Sequence, residues 1–308
     1  MVLLNYVVMC LIFGTTFLAI KVGIDAGAPP FFSAGIRFFL AGVFLFSFML
    51  WKKQARLSLL LHKEMFFTGI GLTFGTFATL YWAEQHISSG IAAILSATAP
   101  LMVMLLQTGI SRQKLSAISW AGCLVGFAGV VLLILPGATT ISFSFLWLAG
   151  CIAVLFGQIF YSAGAVYSRS VIQRFQDTSP IALNAAQMMY GGAMLLVLSL
   201  FTERVHIESM LTANAILSLL YLIVVGSMMG HTIFYWLVAK TNPVFPSTWL
   251  YISPLIALSL GVILYNEPLY LLSLAGGITI IVGIILINMD GLKKLMGKKV
   301  NKLRDVSH

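Results

Sequence analysis

The sequence predicts an all-α polytopic membrane protein, with ten transmembrane helices arranged as two inverted five-helix repeats. Three observations lead there: an apolar composition, ten regularly spaced apolar runs, and self-similarity between the halves of the chain. Of 308 residues, 60% are hydrophobic and 9% charged, with a mean hydropathy of +1.00. Soluble domains are nearer half apolar and a quarter charged, so one water-soluble core is implausible. Intrinsic disorder needs the opposite composition, low hydrophobicity with high charge. A spanning helix takes about 20 apolar residues, and a chain of this length holds about ten of them with short connections.

The apolar runs lie at roughly 3–23, 31–51, 65–85, 88–110, 117–135, 146–167, 181–201, 214–238, 245–265 and 270–289, each bounded by charges or by Pro and Gly. The short connections leave no room for an inserted soluble domain. Lys and Arg set the orientation. With the N-terminus inside, the inner loops carry Lys52, Lys53, Arg56 and Lys63, then Arg112 and Lys114, then Arg169 and Arg174, then Lys240. The basic tail, 290–308, adds six more, leaving only Lys21, Arg37 and Arg204 of the 18 basic residues outside. The positive-inside rule therefore places both termini in the cytoplasm of a cell carrying this protein in its plasma membrane. The formal net charge of +9 is thereby assigned to orientation and anionic membrane lipid rather than to nucleic acid.

Cys10, Cys123 and Cys151 all sit in apolar runs, with no CxxC and no Cys/His cluster, so neither a disulfide framework nor a metal site is expected, and no cofactor motif occurs. Met1 to Leu4 lacks the basic region of a cleavable signal peptide. A membrane-embedded enzyme would need facing catalytic groups such as an HExxH pair. A channel would show a filter-like repeat, and an ATP-driven pump a P-loop. None of these is found. A membrane-embedded enzyme and a non-transporting receptor or scaffold stay as the alternatives.

Comparing the halves is more informative. At a shift of 154 residues, Tyr81-Trp82 falls on Tyr235-Trp236 and Pro100-Leu101 on Pro254-Leu255. At the same shift Ser119, Ala121, Gly122 and Gly129 meet Ser273, Ala275, Gly276 and Gly283. Earlier in the chain the offset shrinks: Phe13-Gly14-x-x-Phe17 matches Phe156-Gly157-x-x-Phe160, and Pro30 and Gly42 match Pro180 and Gly192. This ordered series divides the chain into a first repeat, 1–136, a second, 145–289, and the tail. Five spans per repeat is an odd number, so the second repeat is inverted. Inverted repeats are a recurring build of secondary transporters, with the substrate site near mid-membrane between the halves.

Several motifs then resemble a known family. Phe13-Gly14-Thr15-Thr16-Phe17, Ile36-Arg37-Phe38, Ser88 to Leu95 through Pro100-Leu101, and the late run from Pro254-Leu255 through Asn266-Glu267-Pro268 to Gly276 and Gly283 are similar to the drug/metabolite transporter superfamily, EamA type. The resemblance covers nearly the whole chain except the tail. It implies a ten-helix carrier, commonly an exporter of amino acids or other small metabolites. The chain departs from that pattern after span four, where Arg112-Gln113 stands in place of the usual Gly-Glu.

Candidate site residues follow from depth in the spans. Pro100 and Pro254, near the middle of spans four and nine, free the carbonyls of Ser96 and Leu250, which line a cavity or are satisfied by neighbouring hydroxyls. Thr15 and Gln158 are polar at mid-depth, fit for substrate contact or interhelical hydrogen bonding. His231 and Tyr235 share one face of span eight, and Tyr81 and Trp249 supply aromatic walls. His231, Glu84 and Glu267 are the coupling candidates, the two carboxylates being placed at solvated span ends. Arg37 either marks a site or snorkels outward. The Gly71/Gly75 and Gly122/Gly126 pairs read as helix packing. The scarcity of buried charge argues against highly charged solutes and leaves amino acids, amines and neutral amphiphilic metabolites as the small-molecule substrate.

The topology is directly testable. Single cysteines introduced in the 52–63 loop and at position 300 are expected to react with an impermeant thiol reagent only from the cytoplasmic side, and cysteines near 138 and 206 only from outside. Labelling near 138 from the cytoplasm alone would remove the inversion, because that connection joins the two halves.

Overall fold

The computed structural model describes residues 1–111, 116–135, 144–205, 207–265, 270–287 and 289. Helices dominate, and no strand occurs among the described residues. In chain order they are α1 (Val2–Asp25), α2 (Pro30–Trp51), α3 (63–83), α4 (Ser89–Gly109), α5 (Ala117–Ile134), α6 (Phe145–Arg174), α7 (Pro180–Thr202), α8 (Ala213–Lys240), α9 (244–265) and α10 (Leu271–Ile287). Among the described residues, α1, α2, α4, α6, α7 and α8 are long and apolar enough to cross a membrane. Large apolar side chains such as Leu11, Phe44, Phe156, Leu200 and Ile278 point outward. In water they would form an aggregating surface. Against hydrocarbon they are matched to their solvent, and the chain is a multi-pass membrane protein.

Local chemistry explains where helices begin. Ser88, Ser116, Ser144, Ser179 and Thr212 each accept a hydrogen bond from a backbone N–H two or three residues on, satisfying a donor that the first turn leaves open. Pro30 and Pro180 occupy the first helical position, where the missing N–H costs nothing. Both Glu203 oxygens accept from the start of α2, Phe31 N at 2.7 Å and Phe32 N at 2.9 Å, tying the end of α7 to α2 with a negative charge at a positive helix pole. At the other end of the bundle Arg169 Nη1 donates to the carbonyls of Val238 and Ala239, both at 2.7 Å, closing the C-terminus of α8.

Two helices are not regular. Ile70–Gly75 in α3 and Leu222–His231 in α8 are π-helical, with one residue more per turn than the α-helix on either side. Thr76 Oγ1 donates to the Gly71 carbonyl at 2.7 Å, five residues back, and so satisfies an acceptor within the first π segment. Such bulges occur often at functional sites. α4 and α9 are each broken. In α4 the helix stops at Ser96 and restarts at Ala99, and in α9 it stops at Ser247 and restarts at Trp249.

The main helix pairings are α2 with α7, α5 with α10, α3 with α6, α1 with α8, α3 with α7, α4 with α6, and α1 with α9. Helices in a membrane approach closely where small residues face each other. A Cβ on Gly71 would lie 2.7 Å from Gly164 Cα, and one on Gly164 would lie 2.7 Å from Leu72 N, so α3 and α6 touch backbone to backbone. Gly122 and Gly126 meet the backbone of α10 in the same way, and Gly126 also makes room for the Tyr251 ring of α9, which agrees with the packing role assigned to both glycine pairs. Polar side chains add to the α3–α7 contact: Thr73 Oγ1 donates to Gln187 Oε1 at 2.8 Å, and Gln187 Nε2 to Asn184 Oδ1 at 3.1 Å.

The Gly71–Gly164 contact has a measurable consequence. Gly71→Leu forces two backbones apart, and overpacking of this kind costs about 1–3 kcal/mol. The purified variant is expected to unfold at a lower temperature in detergent than the parent, whereas Gly109→Leu, where no atom lies within 4 Å of the added carbon, leaves it unchanged.

Candidate functional site

A narrow cavity of about 40 Å³ lies where α1, α2, α3, α4, α6, α8 and α9 converge. That is space for about one or two water molecules. Its wall joins residues from both ends of the chain: Phe13, Thr16 and Phe17 of α1, Arg37 of α2, Leu72, Thr76, Phe77 and Leu80 of α3, Ser96 of α4, Gln158 and Tyr161 of α6, His231 and Phe234 of α8, and Trp249 and Leu250 of α9.

Four of the residues expected from sequence meet here. Gln158 Nε2 donates to Ser96 Oγ at 3.2 Å, joining α6 to α4 across the cavity wall. His231 ends the π-helical part of α8, and Phe13, Phe38 and Phe77 surround its ring at centroid distances of 5.1, 5.4 and 5.8 Å. Its Nε2 is buried with no hydrogen-bond partner among the described residues. Trp249 packs on Phe13 at 4.6 Å, and its Nε1 donates to Tyr161 OH at 3.4 Å.

The other candidates stand around this centre. Tyr81 is buried behind it, where its hydroxyl accepts from Arg37. Tyr235, which the 154-residue shift aligns with it, is equally buried and packs on Phe234 without lining the cavity. Thr15 turns away, bonding Tyr221 OH at 2.5 Å and the Ile12 carbonyl at 2.7 Å, and so ties α1 to α8. Pro100 is the second residue of the restarted half of α4, a position in the first turn that suits proline. Pro254 lies inside a helix, and the Leu250 carbonyl that it leaves open accepts from Ser253 Oγ at 3.3 Å. Neither proline lines the cavity, although Leu250 does.

Glu84 is not at a solvated span end. It is fully buried, neither of its carboxylate oxygens has a hydrogen-bond partner among the described residues, and its backbone carbonyl accepts from Lys21 Nζ at 3.0 Å. It follows the last turn of α3, where Lys21 of α1 reaches its carbonyl. Glu267 lies outside the described residues.

The residue that depth counting placed least well is Arg37. It does not snorkel to the surface: only 1% of it is exposed. Its Nε donates to Ser227 Oγ at 2.8 Å and its Nη1 to Tyr81 OH at 3.2 Å, while the guanidinium lies 4.6 and 5.1 Å from the ring centres of Phe38 and Phe77. Thr16, Phe17 and Tyr161 were also absent from the expected set. Phe17 belongs to the Phe-Gly-x-x-Phe motif and Tyr161 lies one turn beyond Gln158, so helical spacing was the available signal.

Comparison with known proteins adds an independent finding. The model of the EamA-like transporter family matches residues 1–135 and 148–289. Over 268 residues the chain is 28% identical to the uncharacterized inner membrane transporter YedA of Escherichia coli (strain K12), covering 84% of this chain and 81% of that protein. It is 26% identical over 287 residues to the uncharacterized transporter YoaV of Bacillus subtilis, covering 92% and 96%. It is 27% identical over 289 residues to a probable amino-acid metabolite efflux pump of Salmonella typhimurium, covering 92% of each. A crystal structure of a protein 19% identical superposes with a TM-score of 0.73 over 93% of this chain and 96% of that one, a likeness of fold alone.

Pro254 gives the site a test. Pro254→Ala supplies an N–H to the Leu250 carbonyl and straightens the wall of the cavity, so the variant is expected to reach the membrane at normal yield and to lose transport several-fold. Pro100→Ala restores no comparable bond and is expected to be milder. Unchanged transport in both would reduce the prolines to packing.

Proposed function

Because the chain belongs to the EamA-like transporter family, we propose that this membrane transporter is a secondary exporter of amino acids or related small metabolites, working by alternating access about the central cavity. The observation that carries this reading is the cavity itself. In a bundle whose outer surface is apolar, Arg37, Ser96, Gln158 and His231 from four separate helices face one buried space. Polar groups at that depth are costly and mark substrate pathways.

Ten membrane spans in two inverted five-helix repeats belong to the same proposal. The helix pairings support it. Exchanging each of α1 to α5 with its repeat mate in α6 to α10 turns α1–α8 into α6–α3 and α1–α9 into α6–α4, and leaves α2–α7 and α5–α10 in place. The π segments support it too, since Ile70–Gly75 shifted by 154 residues falls at 224–229, within Leu222–His231. Two related halves that differ slightly in conformation can exchange those conformations, opening the cavity first to one side and then to the other. The charge pattern puts both termini in the cytoplasm.

His231 is the proposed carrier of a coupling proton, since an imidazole is the side chain whose ordinary range lies near neutrality and this one borders the cavity. Glu84, buried beside Lys21 and within the electrostatic reach of Arg37, is the second candidate.

Flux in proteoliposomes tests the reading. Vesicles with the purified protein are expected to release at least one member of a preloaded amino-acid and metabolite panel faster than empty vesicles, and faster still under a proton gradient. His231→Gln is expected to abolish the response to the gradient while sparing exchange. If that response survives in His231→Gln and disappears in Glu84→Gln, the coupling role moves to Glu84. If no solute of the panel moves, the exporter reading fails.

A further inference from the structure

We propose that Arg37 anchors a carboxylate, so that the preferred solute is a small organic anion with an apolar or aromatic body, and amines of the same shape are rejected. This rests on the exporter reading and names the substrate class of its site.

The first argument is charge. Arg37 is a buried cation that borders the cavity, and its two hydrogen-bond acceptors, Ser227 and Tyr81, are both neutral. Among the described residues no carboxylate forms an ion pair with it within 4.0 Å. Elsewhere this chain neutralises charge directly: Arg174 Nη1 meets the buried Glu64 carboxylate at 2.6 Å, and Lys21 meets Asp25 at 2.9 Å. Glu84 is near enough for Arg37 to act on it electrostatically, yet neither of its oxygens accepts a hydrogen bond. A buried guanidinium left with neutral partners is expensive, and an incoming anion offsets that cost.

The second argument is geometry. A guanidinium has five N–H donors in a planar fork that matches a carboxylate. The contacts to Ser227 and Tyr81 engage Nε and Nη1 and fix the orientation of the group. Stacking over Phe38 and Phe77 holds its plane from the side. The anchor is therefore preorganised, with further N–H donors for the solute.

The third argument is what surrounds it. Phe13, Phe17, Phe234 and Trp249 give the wall an apolar and aromatic character suited to the body of the solute. The Ser96–Gln158 pair offers only neutral polar atoms, and no carboxylate is among the lining residues. An ammonium group would meet the Arg37 charge with nothing to neutralise it. A zwitterion would gain at one end and lose at the other. At about 40 Å³ the cavity has room for water only, so the solute enters when the surrounding helices separate.

Three probes that share a phenyl body and differ in head group test this: hydrocinnamate (an anion), phenylalanine (a zwitterion) and phenethylamine (a cation). Binding to the purified full-length protein is measured by titration calorimetry at neutral pH. A hydrogen-bonded buried charge is worth about 10- to 100-fold in affinity. Hydrocinnamate is expected to bind at least about tenfold more tightly than phenylalanine, and phenethylamine not measurably. Arg37→Gln is expected to abolish the preference. Should that variant fail to fold, the three-probe series on the parent protein decides alone, and Tyr81→Phe and Ser227→Ala, which keep the charge and remove one tether each, are expected to weaken hydrocinnamate several-fold. Phenethylamine binding as well as hydrocinnamate, or an Arg37→Gln protein with the parent's affinity, would overturn the proposal. So would a protein that translocates members of the metabolite panel yet binds no carboxylate, an outcome that leaves the exporter reading standing.

Discussion

A guanidinium cannot be left inside an apolar bundle without cost. Its charge has to be met by dipoles, rings or an anion, and the packing around Arg37 supplies the first two. Ser227 comes from the π-helical part of α8, Tyr81 and Phe77 from α3, and Phe38 from the same helix as the arginine. One side chain thus joins α2, α3 and α8 at the depth where the cavity lies. His231 shares two of the same rings, so the titratable imidazole and the fixed cation are held by one aromatic frame. A change at either group is felt by the other through that frame.

The rest of the bundle leaves this centre adjustable. Glycine contacts between α3 and α6 and around α5 and α10 bring backbones together without large interlocking side chains. Such surfaces slide more readily than a jigsaw of leucines. The irregular segments gather at the cavity: the π turns of α3 and α8 and the breaks in α4 and α9 all border it, through Leu72, His231, Ser96 and Trp249. The firm attachments lie at the ends, where Glu203 caps α2, Arg169 closes α8, and Arg174 pairs with Glu64.

How much of this was legible in the sequence depends on the kind of information. Apolar runs and turn residues locate helices well, because bilayer thickness and helix rise leave little freedom. Depth is equally readable, and three residues singled out by it, Gln158, His231 and Trp249, line the cavity. Direction around the helix axis is not. Arg37 and Glu84 lie toward span ends, where long or charged side chains normally reach water, yet their helices turn them inward and neighbours cover them. Tyr81 and Tyr235, which the 154-residue shift aligns, are equally buried, and only the first joins the cluster at the cavity. The π turns were also invisible, since they depend on how α3 and α8 pack rather than on local propensity. Pro100 looked like a mid-span kink because the break after Ser96 that turns it into a helix start has no sequence signal as plain as the proline.

The account stands or falls on where an anion sits. A crystal structure of the protein with a brominated aryl carboxylate, read by bromine anomalous scattering, would locate both ends of the molecule. The account predicts the carboxylate at salt-bridge distance from Arg37, about 3 Å, with the bromine among Phe13, Phe17 and Trp249. Bromine signal confined to the bundle surface, or a carboxylate bound in the cavity away from Arg37, would contradict it.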